Sequence, residues 1–234
     1  MRARDPEKLD RIEWTRRKGG FNLILGKYIM KKIFEIGLGP LILDVGCGDG
    51  FLTKEIARHY DKVVGIDGSA DKINIARQYA PEVEFHVSLF EKFEYDMKFD
   101  SIIMINILEH INDPVLFLKR AKDFLKPDGE VIIFVPNALS LNRRIGKAMG
   151  LIKSYYDLSE GDLAVGHKRI YDKDKLRNHI KRSGLKISEM GGVLLKPLSN
   201  SQMESWDPDI IEALYEVGKE LPDYCGPIYA RAVR

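Results

Sequence analysis

From residue 41 onward, short apolar runs alternate with segments in which apolar residues recur every three or four positions. The runs are Leu41 to Val45, Lys62 to Ile66, Val83 to Val87, Phe99 to Ile105 and Glu130 to Val135. Each has the length of a buried strand and each stops at a glycine, a proline or a polar residue. Asp49 to Tyr60 predicts a helix, and Ser69 is placed to cap another that runs to Tyr79. A third helix is expected from Asp113, with Pro114 in its first turn, ending before Lys126-Pro127-Asp128-Gly129. Strand, helix, strand at this spacing implies parallel pairing with right-handed crossovers. The expected fold is therefore α/β, a doubly wound Rossmann-like sheet. Ligands of such sheets sit at the carboxyl ends of the strands, which points to the turns after residues 45, 66, 87 and 105.

Two regions break the alternation. In residues 6–36, Phe21, Ile24, Leu25, Tyr28, Ile29, Ile33 and Ile36 recur at helical spacing, which predicts a helical cap over residues 1–38. Residues 137–169 form a connection too long for a bare loop in a compact domain, so a lid insertion with a short helix near Ser140 to Met149 is expected. The chain then returns to the pattern. Asp172 or Asp174 can cap a helix to about Ser183, which Gly184 ends. Leu185 to Met190 reads as a strand, Asp207-Pro208 opens a helix to about Glu220, and Pro227 to Val233 reads as a final strand. One domain over residues 1–234 accounts for all of it.

A chain of 234 residues with 44% hydrophobic and 31% charged residues has the composition of a globular domain. No apolar run reaches the roughly 18 residues that span a bilayer. Met1 to Lys18 is polar and mixed in charge, unlike a secretory signal, so a cytoplasmic location is expected. Cys47 and Cys225 form no metal spacing and read as reduced thiols. A net charge of +2 gives no global case for nucleic acid. The charge is uneven, however. Residues 137–169 carry six Lys/Arg against three Asp/Glu, whereas residues 200–223 carry one against seven.

The chemistry starts at Gly46-Cys47-Gly48-Asp49-Gly50. Glycines let a strand-to-helix turn approach a ligand closely, and the N–H groups at the helix start are expected to face it. A dinucleotide fingerprint would place glycine at position 51, where Phe51 stands. Asp44, two residues before the first glycine, suits a ligand carrying an ammonium group rather than a pyrophosphate. Asp67, 19 residues after Gly48, ends the second strand, where a carboxylate can accept hydrogen bonds from ribose hydroxyls. The alternative for Asp67 is a turn residue before Gly68.

Leu43-Asp44-Val45-Gly46-Cys47-Gly48-Asp49-Gly50, Val64-Gly65-Ile66-Asp67, Phe99-Asp100-Ser101-Ile102-Ile103 with Leu108-Glu109-His110, and Leu125-Lys126-Pro127-Asp128-Gly129 resemble the ordered motifs of class I S-adenosylmethionine-dependent methyltransferases. The resemblance spans about residues 41–135. It implies a seven-stranded sheet with strand seven antiparallel, S-adenosylmethionine as cofactor and S-adenosylhomocysteine as product. It also implies roles by position. Asp44, Gly46, Cys47 and Gly48 are expected at the methionine portion, Asp67 and Gly68 at the ribose, Ser88, Leu89 and Phe90 at the adenine, and Asn106 and Ile107 near the sulfonium. Many relatives have Asp where Leu89 stands, so the adenine amino group would have to be met by backbone or by Glu91.

Methyl transfer from a sulfonium needs alignment and desolvation, and a base only if the acceptor loses a proton. His110 is the first candidate base, with a structural role beside Asn112-Asp113 as the alternative. His167, in Gly166-His167-Lys168-Arg169, is the second. Leu108-Glu109-His110 followed by Asp113-Pro114 is similar to ubiquinone-biosynthesis O-methyltransferases. Some of those hold a divalent metal through a Glu, a second Glu and this His. Asn106 stands at the first of these positions here, and no metal site is expected. Tyr28, Arg143, Arg144, Tyr155, Tyr156, His167 and Arg169 are the candidate acceptor contacts, since arginine pairs favour anionic groups. The alternative is a basic amphipathic helix on the surface or against anionic lipid. Lys196 to Met203 is either plain connection or a pocket wall in which Asn200 and Gln202 orient the acceptor, and Trp14, Phe21 and Tyr28 are packing or ligand contacts.

The expected function is methyl transfer to a small-molecule acceptor, on oxygen, by a monomer or homodimer. Competing readings are an RNA or protein methyltransferase, a nicotinamide oxidoreductase and a non-catalytic cofactor-binding module. Asn106-Ile107-Leu108-Glu109 lacks the Asn-Pro-Pro-Tyr pattern of amino methylation, and Phe51 argues against a dinucleotide.

Overall fold

A computed structural model describes residues 20–234. The part of the expected N-terminal cap that precedes residue 20, with Trp14, lies outside the described residues. The apolar stripe from Phe21 forms helix α1 (Phe21–Ile36), which ends at Gly37 in the left-handed region, φ 76°. The alternating part forms β1 (Leu41–Val45), α2 (Phe51–Ala57), β2 (Lys62–Asp67), α3 (Ala70–Tyr79), β3 (Glu84–Val87), β4 (Phe99–Ile105), α4 (Pro114–Phe124) and β5 (Leu125–Pro136). After it come α5 (Leu141–Ala148), α6 (Glu160–Ala164), α7 (Lys173–Arg182), β6 (Lys186–Gly192), α8 (Asn200–Met203), α9 (Pro208–Glu220) and β7 (Pro227–Val233).

The strands form one sheet in the order β3-β2-β1-β4-β5-β7-β6, with β7 antiparallel. β1 is central: Leu43 pairs with Val64 of β2 on one side and with Ile102 of β4 on the other, both parallel. Ile42, Leu43, Val64, Ile102, Ile103 and Met104 are fully buried, as strands covered on both faces require. No described helix is long and apolar enough to cross a membrane.

Three expectations are corrected in detail. The helix expected from Asp49 starts at Phe51, because Gly50 takes a left-handed conformation, φ 75°, as its N-cap. β5 starts at Leu125 rather than Glu130. Leu125 pairs with Phe99, and the register slips before Ser101, so Lys126-Pro127-Asp128-Gly129 is an irregularity inside the strand. Pro127 is tolerated there because a bulge needs no ladder donor at every residue. The stretch after β6 contains a short helix, α8, whose start carries a reciprocal capping box between Ser199 and Gln202.

The described residues fall into two compact units. One contains residues through Gly37, Val135–Lys173 and Met190–Tyr229; the other contains Leu38–Phe134, Asp174–Glu189 and Ala230–Arg234. In the first, Met30 and Ile33 of α1, Leu194, Met203 and Tyr215 are fully buried. In the second, the core is the β1–β4 strands with Ile56, Ile73, Ala76 and Leu118.

Candidate functional site

The strand ends of the second unit converge on the glycine loop. Gly46 and Gly48 have φ of 76° and 57°, conformations that glycine adopts without strain. A Cβ on Gly46 would fall 2.0 Å from Cδ1 of Ile107, so the turn after β1 packs directly on the turn after β4. A Cβ on Gly48 would meet nothing within 4 Å, so this side of the loop is open. The N–H groups of Gly46 and Cys47 both donate to the Ile66 carbonyl, at 2.7 and 3.0 Å. Those of Gly50 and Phe51 donate to the Cys47 carbonyl and the Asp49 carboxylate. The loop amides are thus committed within the fold, and the expectation that they face a ligand is corrected for these residues.

The two carboxylates behave differently. Asp44 is 3% exposed and accepts a hydrogen bond from Thr53 Oγ1 at 2.7 Å. Burial, opposed by the Thr53 bond and reinforced by the charge of Asp67, pushes its carboxyl up to about 6. Asp67 is half-buried. Its Oδ2 accepts from Gly48 N–H at 3.1 Å and its Oδ1 from Ser69 N–H at 2.8 Å. Each oxygen has a second lone pair, so the carboxylate is oriented by the backbone and retains capacity to accept from a ligand.

Around these, Asn106 is exposed and is the one described non-glycine residue with positive φ, 53°. Asparagine tolerates this region, and such strain marks functional turns more often than plain connections. Its N–H is held by the Phe134 carbonyl at 2.9 Å. Leu89 is 55% exposed and lies over Gly68, where a Cβ would come within 2.9 Å of its Cδ2. Ser88 donates its N–H to the Asp67 carbonyl at 3.0 Å. Phe90 and Cys47 face inward. Phe90 packs against Phe117 at 4.8 Å between ring centroids, and Cys47 belongs to a cluster with Ile73, Ala76 and Phe85. Burial and the charges of Asp44 and Asp67 raise the Cys47 thiol, which stays protonated. Glu109 is buried and His110 half-buried, with the His110 N–H on the Ile107 carbonyl at 2.9 Å.

The candidate acceptor residues lie in the other unit. Tyr28 is buried against Tyr215, with ring centroids 5.0 Å apart, and donates its hydroxyl to Glu212 at 3.1 Å. Arg143 donates through Nε to the Tyr155 carbonyl at 2.9 Å and through a terminal nitrogen to the Asp157 carbonyl. Arg144 donates to the Leu139 carbonyl at 2.9 Å and lies over the Tyr224 ring. Tyr155 is half-buried under Lys147, Tyr156 donates its hydroxyl to Asp172, and Arg169 is half-buried. His167 is half-buried with Nδ1 2.9 Å from Asp162 Oδ1. Burial raises the Asp162 carboxyl, but hydrogen bonds from Ser159 and His167 outweigh it and hold it below the usual range. An ionised carboxylate on one ring nitrogen is the arrangement that orients a general base.

Two polar residues with no motif around them take part. Thr53 is fully buried beside Asp44, and nothing in its local sequence distinguishes it from any other helical threonine. Lys196 is half-buried, and burial together with the charge of Arg143 pushes its ammonium down to about 8. Its only sequence signal was a place just after a strand.

Residues 27–189 match the family model described as a methyltransferase domain. The chain is 32% identical over 181 residues to a ubiquinone biosynthesis O-methyltransferase of Nitrobacter winogradskyi, covering 74% of this chain and 66% of that protein. It is 33% identical over 182 residues to the protein of the same name in Chelativorans sp., covering 74% and 69%. Among solved structures, an S-adenosylmethionine-dependent methyltransferase from Mesorhizobium loti superposes with a TM-score of 0.63 at 20% identity, over 92% of this chain and 99% of that one. The fold and the match together define the class: the chain belongs to the methyltransferase domain family. It spans about two thirds of the length of the first of these relatives.

Proposed function

We propose that the protein transfers a methyl group from S-adenosylmethionine to a small-molecule acceptor, at an oxygen atom, and that the acceptor carries an anionic group. The observation that carries the donor half is the pairing of two carboxylates across one glycine loop. Asp44 is buried at the end of β1, and Asp67, at the end of β2, is bonded to the Gly48 amide. Asp44 answers the methionine ammonium and Asp67 the ribose hydroxyls. Asn106 and Ile107 flank the sulfonium, while Gly68 and the segment Ser88 to Phe90 flank the adenosine, with exposed Leu89 offering an apolar face to the base. The acceptor oxygen attacks the methyl carbon, the carbon–sulfur bond breaks, and its electron pair neutralises the sulfonium. S-adenosylhomocysteine is the product. His110 or His167 takes the acceptor proton. The small-molecule, oxygen-directed part is supported by relatives named as ubiquinone biosynthesis O-methyltransferases.

Calorimetric titration tests the donor half: S-adenosylhomocysteine is expected to bind and NAD is not. Incubation of labelled methyl donor with separate small-molecule, RNA and protein fractions tests the acceptor half. Label confined to RNA or protein would overturn it, and no label in any fraction would favour a binding module. Arg169→Ala is expected to raise the acceptor KM far more than the cofactor Kd. An unchanged acceptor KM removes Arg169 from the site.

A further inference from the structure

α5 is joined to the segment after β6 by a backbone bond: Asn142 N–H donates to the Lys196 carbonyl at 2.9 Å. Both sides of that junction carry a cation, Arg143 in α5 on one and Lys196 on the other. Arg143 has five N–H donors, of which two sets are directed at the Tyr155 and Asp157 carbonyls. The Lys196 ammonium donates to a neutral partner, Asn200 Oδ1 at 2.5 Å, and Asn200 is itself held by Asn22 of α1 at 2.9 Å. Among the described residues no carboxylate forms an ion pair with Lys196. The acid it senses, Asp162, is engaged by Ser159 and His167. Beside this junction, the side-chain oxygen of Asn142 is buried and meets no donor among the described residues.

A half-buried ammonium beside a guanidinium, with no carboxylate in ion-pair contact with it among the described residues, is an unfavourable arrangement that a bound anion relieves. Two donors of the ammonium remain for such an anion. We propose that Lys196, with Arg143 beside it, forms the subsite that takes the anionic group of the methyl acceptor. This rests on the reading that the acceptor is anionic, and it assigns the recognition to a residue that carries no motif. The charged groups around the ammonium are Arg143 and, more weakly, Asp162. Asp162 and, more weakly, Asp157 act on Arg143, and His167 faces Asp162. Because Lys196 loses its proton near pH 8, anion binding weakens as pH rises through that value.

Benzoate and benzamide are probes of nearly equal shape that differ in charge. Titrated into the protein saturated with S-adenosylhomocysteine near neutral pH, benzoate is expected to bind about tenfold more tightly, with the preference declining from about pH 7 to pH 9. Lys196→Met is expected to abolish the preference and leave the S-adenosylhomocysteine Kd within about twofold. Lys196→Arg is expected to retain the preference and to lose its decline with pH. A preference that persists in Lys196→Met, or one that stays constant over this pH range in the unmodified protein, overturns the assignment while leaving an anionic acceptor in place. Equal binding of the two probes to the unmodified protein overturns the anionic reading and the subsite with it. If Lys196→Met does not fold, the pH profile of the unmodified protein and the Lys196→Arg titration decide. Failure of S-adenosylhomocysteine to bind overturns the donor reading instead, and the two probes then read Lys196 in the unliganded protein.

Discussion

The glycine loop after β1 and the segment 137–169 after β5 both interrupt the alternation of strand and helix, and they differ in which side chains close on their backbones: carboxylates in the first, arginines as well in the second. In the glycine loop the amides of Gly46 and Cys47 go to one strand carbonyl, Ile66, so backbone closes on backbone. Asp67 stands beside the loop with accepting capacity left over, and Asp44 is buried against Thr53. In residues 137–169 backbone bonds are joined by long side chains that cap carbonyls and amides. Arg143 and Arg144 donate to the carbonyls of Tyr155, Asp157 and Leu139, and the Asp157 carboxylate accepts the amides of Lys153 and Ser154. Irregular backbone away from water needs such partners. The number of arginines in a lid therefore overstates how many of them face a ligand.

The largest test of this contrast is Asp44→Asn. Burial pushes the Asp44 carboxyl up to about 6 in the fold, above the ordinary aspartate value of about 3.9, so the stability gained from the protonated carboxyl is fully present below about pH 4 and is lost as pH rises through 6. Asparagine keeps an acceptor for Thr53 without the buried charge. Thermal denaturation of the unliganded variant at neutral pH is expected to show a gain approaching about 3 kcal/mol, while calorimetry shows a large loss of S-adenosylmethionine affinity. A variant no more stable than the parent would mean that Asp44 is already compensated in the fold. In the unmodified protein, cofactor affinity should rise between about pH 5 and pH 7 as Asp44 ionises.

Asp67→Ala comes next. It removes the acceptor of the Gly48 amide and the ligand capacity together, and an increase in S-adenosylhomocysteine Kd of about 30- to 100-fold is expected, with far-UV circular dichroism unchanged. Retained affinity would place the ribose elsewhere. On the lid side, Arg143→Met deletes two charge-assisted bonds to carbonyls and should cost about 2 kcal/mol of local stability. Limited proteolysis is expected to cut faster between residues 150 and 165, with cofactor Kd unaffected. Equal cleavage rates would show that the lid does not depend on this clamp. The smallest effect belongs to Ser159→Ala, which removes half of a capping box formed with Asp162. Hydrogen exchange over α6 should quicken by an amount worth about 1 kcal/mol, and unchanged protection would mean that neighbouring contacts hold this short helix.

The sheet and the donor side were largely legible because they rest on local rules. Strand-length apolar runs locate β1 to β4, and a strand buried on both faces is apolar throughout. Glycines at 46, 48 and 50 mark positive φ, and Asp44 and Asp67 are fixed by their distance from that turn. What escaped is what depends on residues far apart in sequence. Phe90 and Cys47 sit in the motif but turn inward, because aromatic and small apolar neighbours are available there. In the sequence Tyr28 is open to packing or ligand contact, and what decides its surroundings is Glu212, 184 residues away, which its hydroxyl meets. The extension of β5 back to Leu125 rests on a pairing with Phe99 that no local pattern announces.

By itself the sequence determined the order of the strands along the chain, the position of the glycine turn and the two acidic residues that answer each other across it. These follow from steric limits on φ and from the period of burial, which act over a few residues. Only the tertiary structure decided which cations are left for a ligand. Arg143 and Arg144 found carbonyls, while Lys196, in a stretch with no motif, found a neutral asparagine and an adjacent positive charge. Whether a side chain is already satisfied depends on what the rest of the chain brings within hydrogen-bonding distance of it.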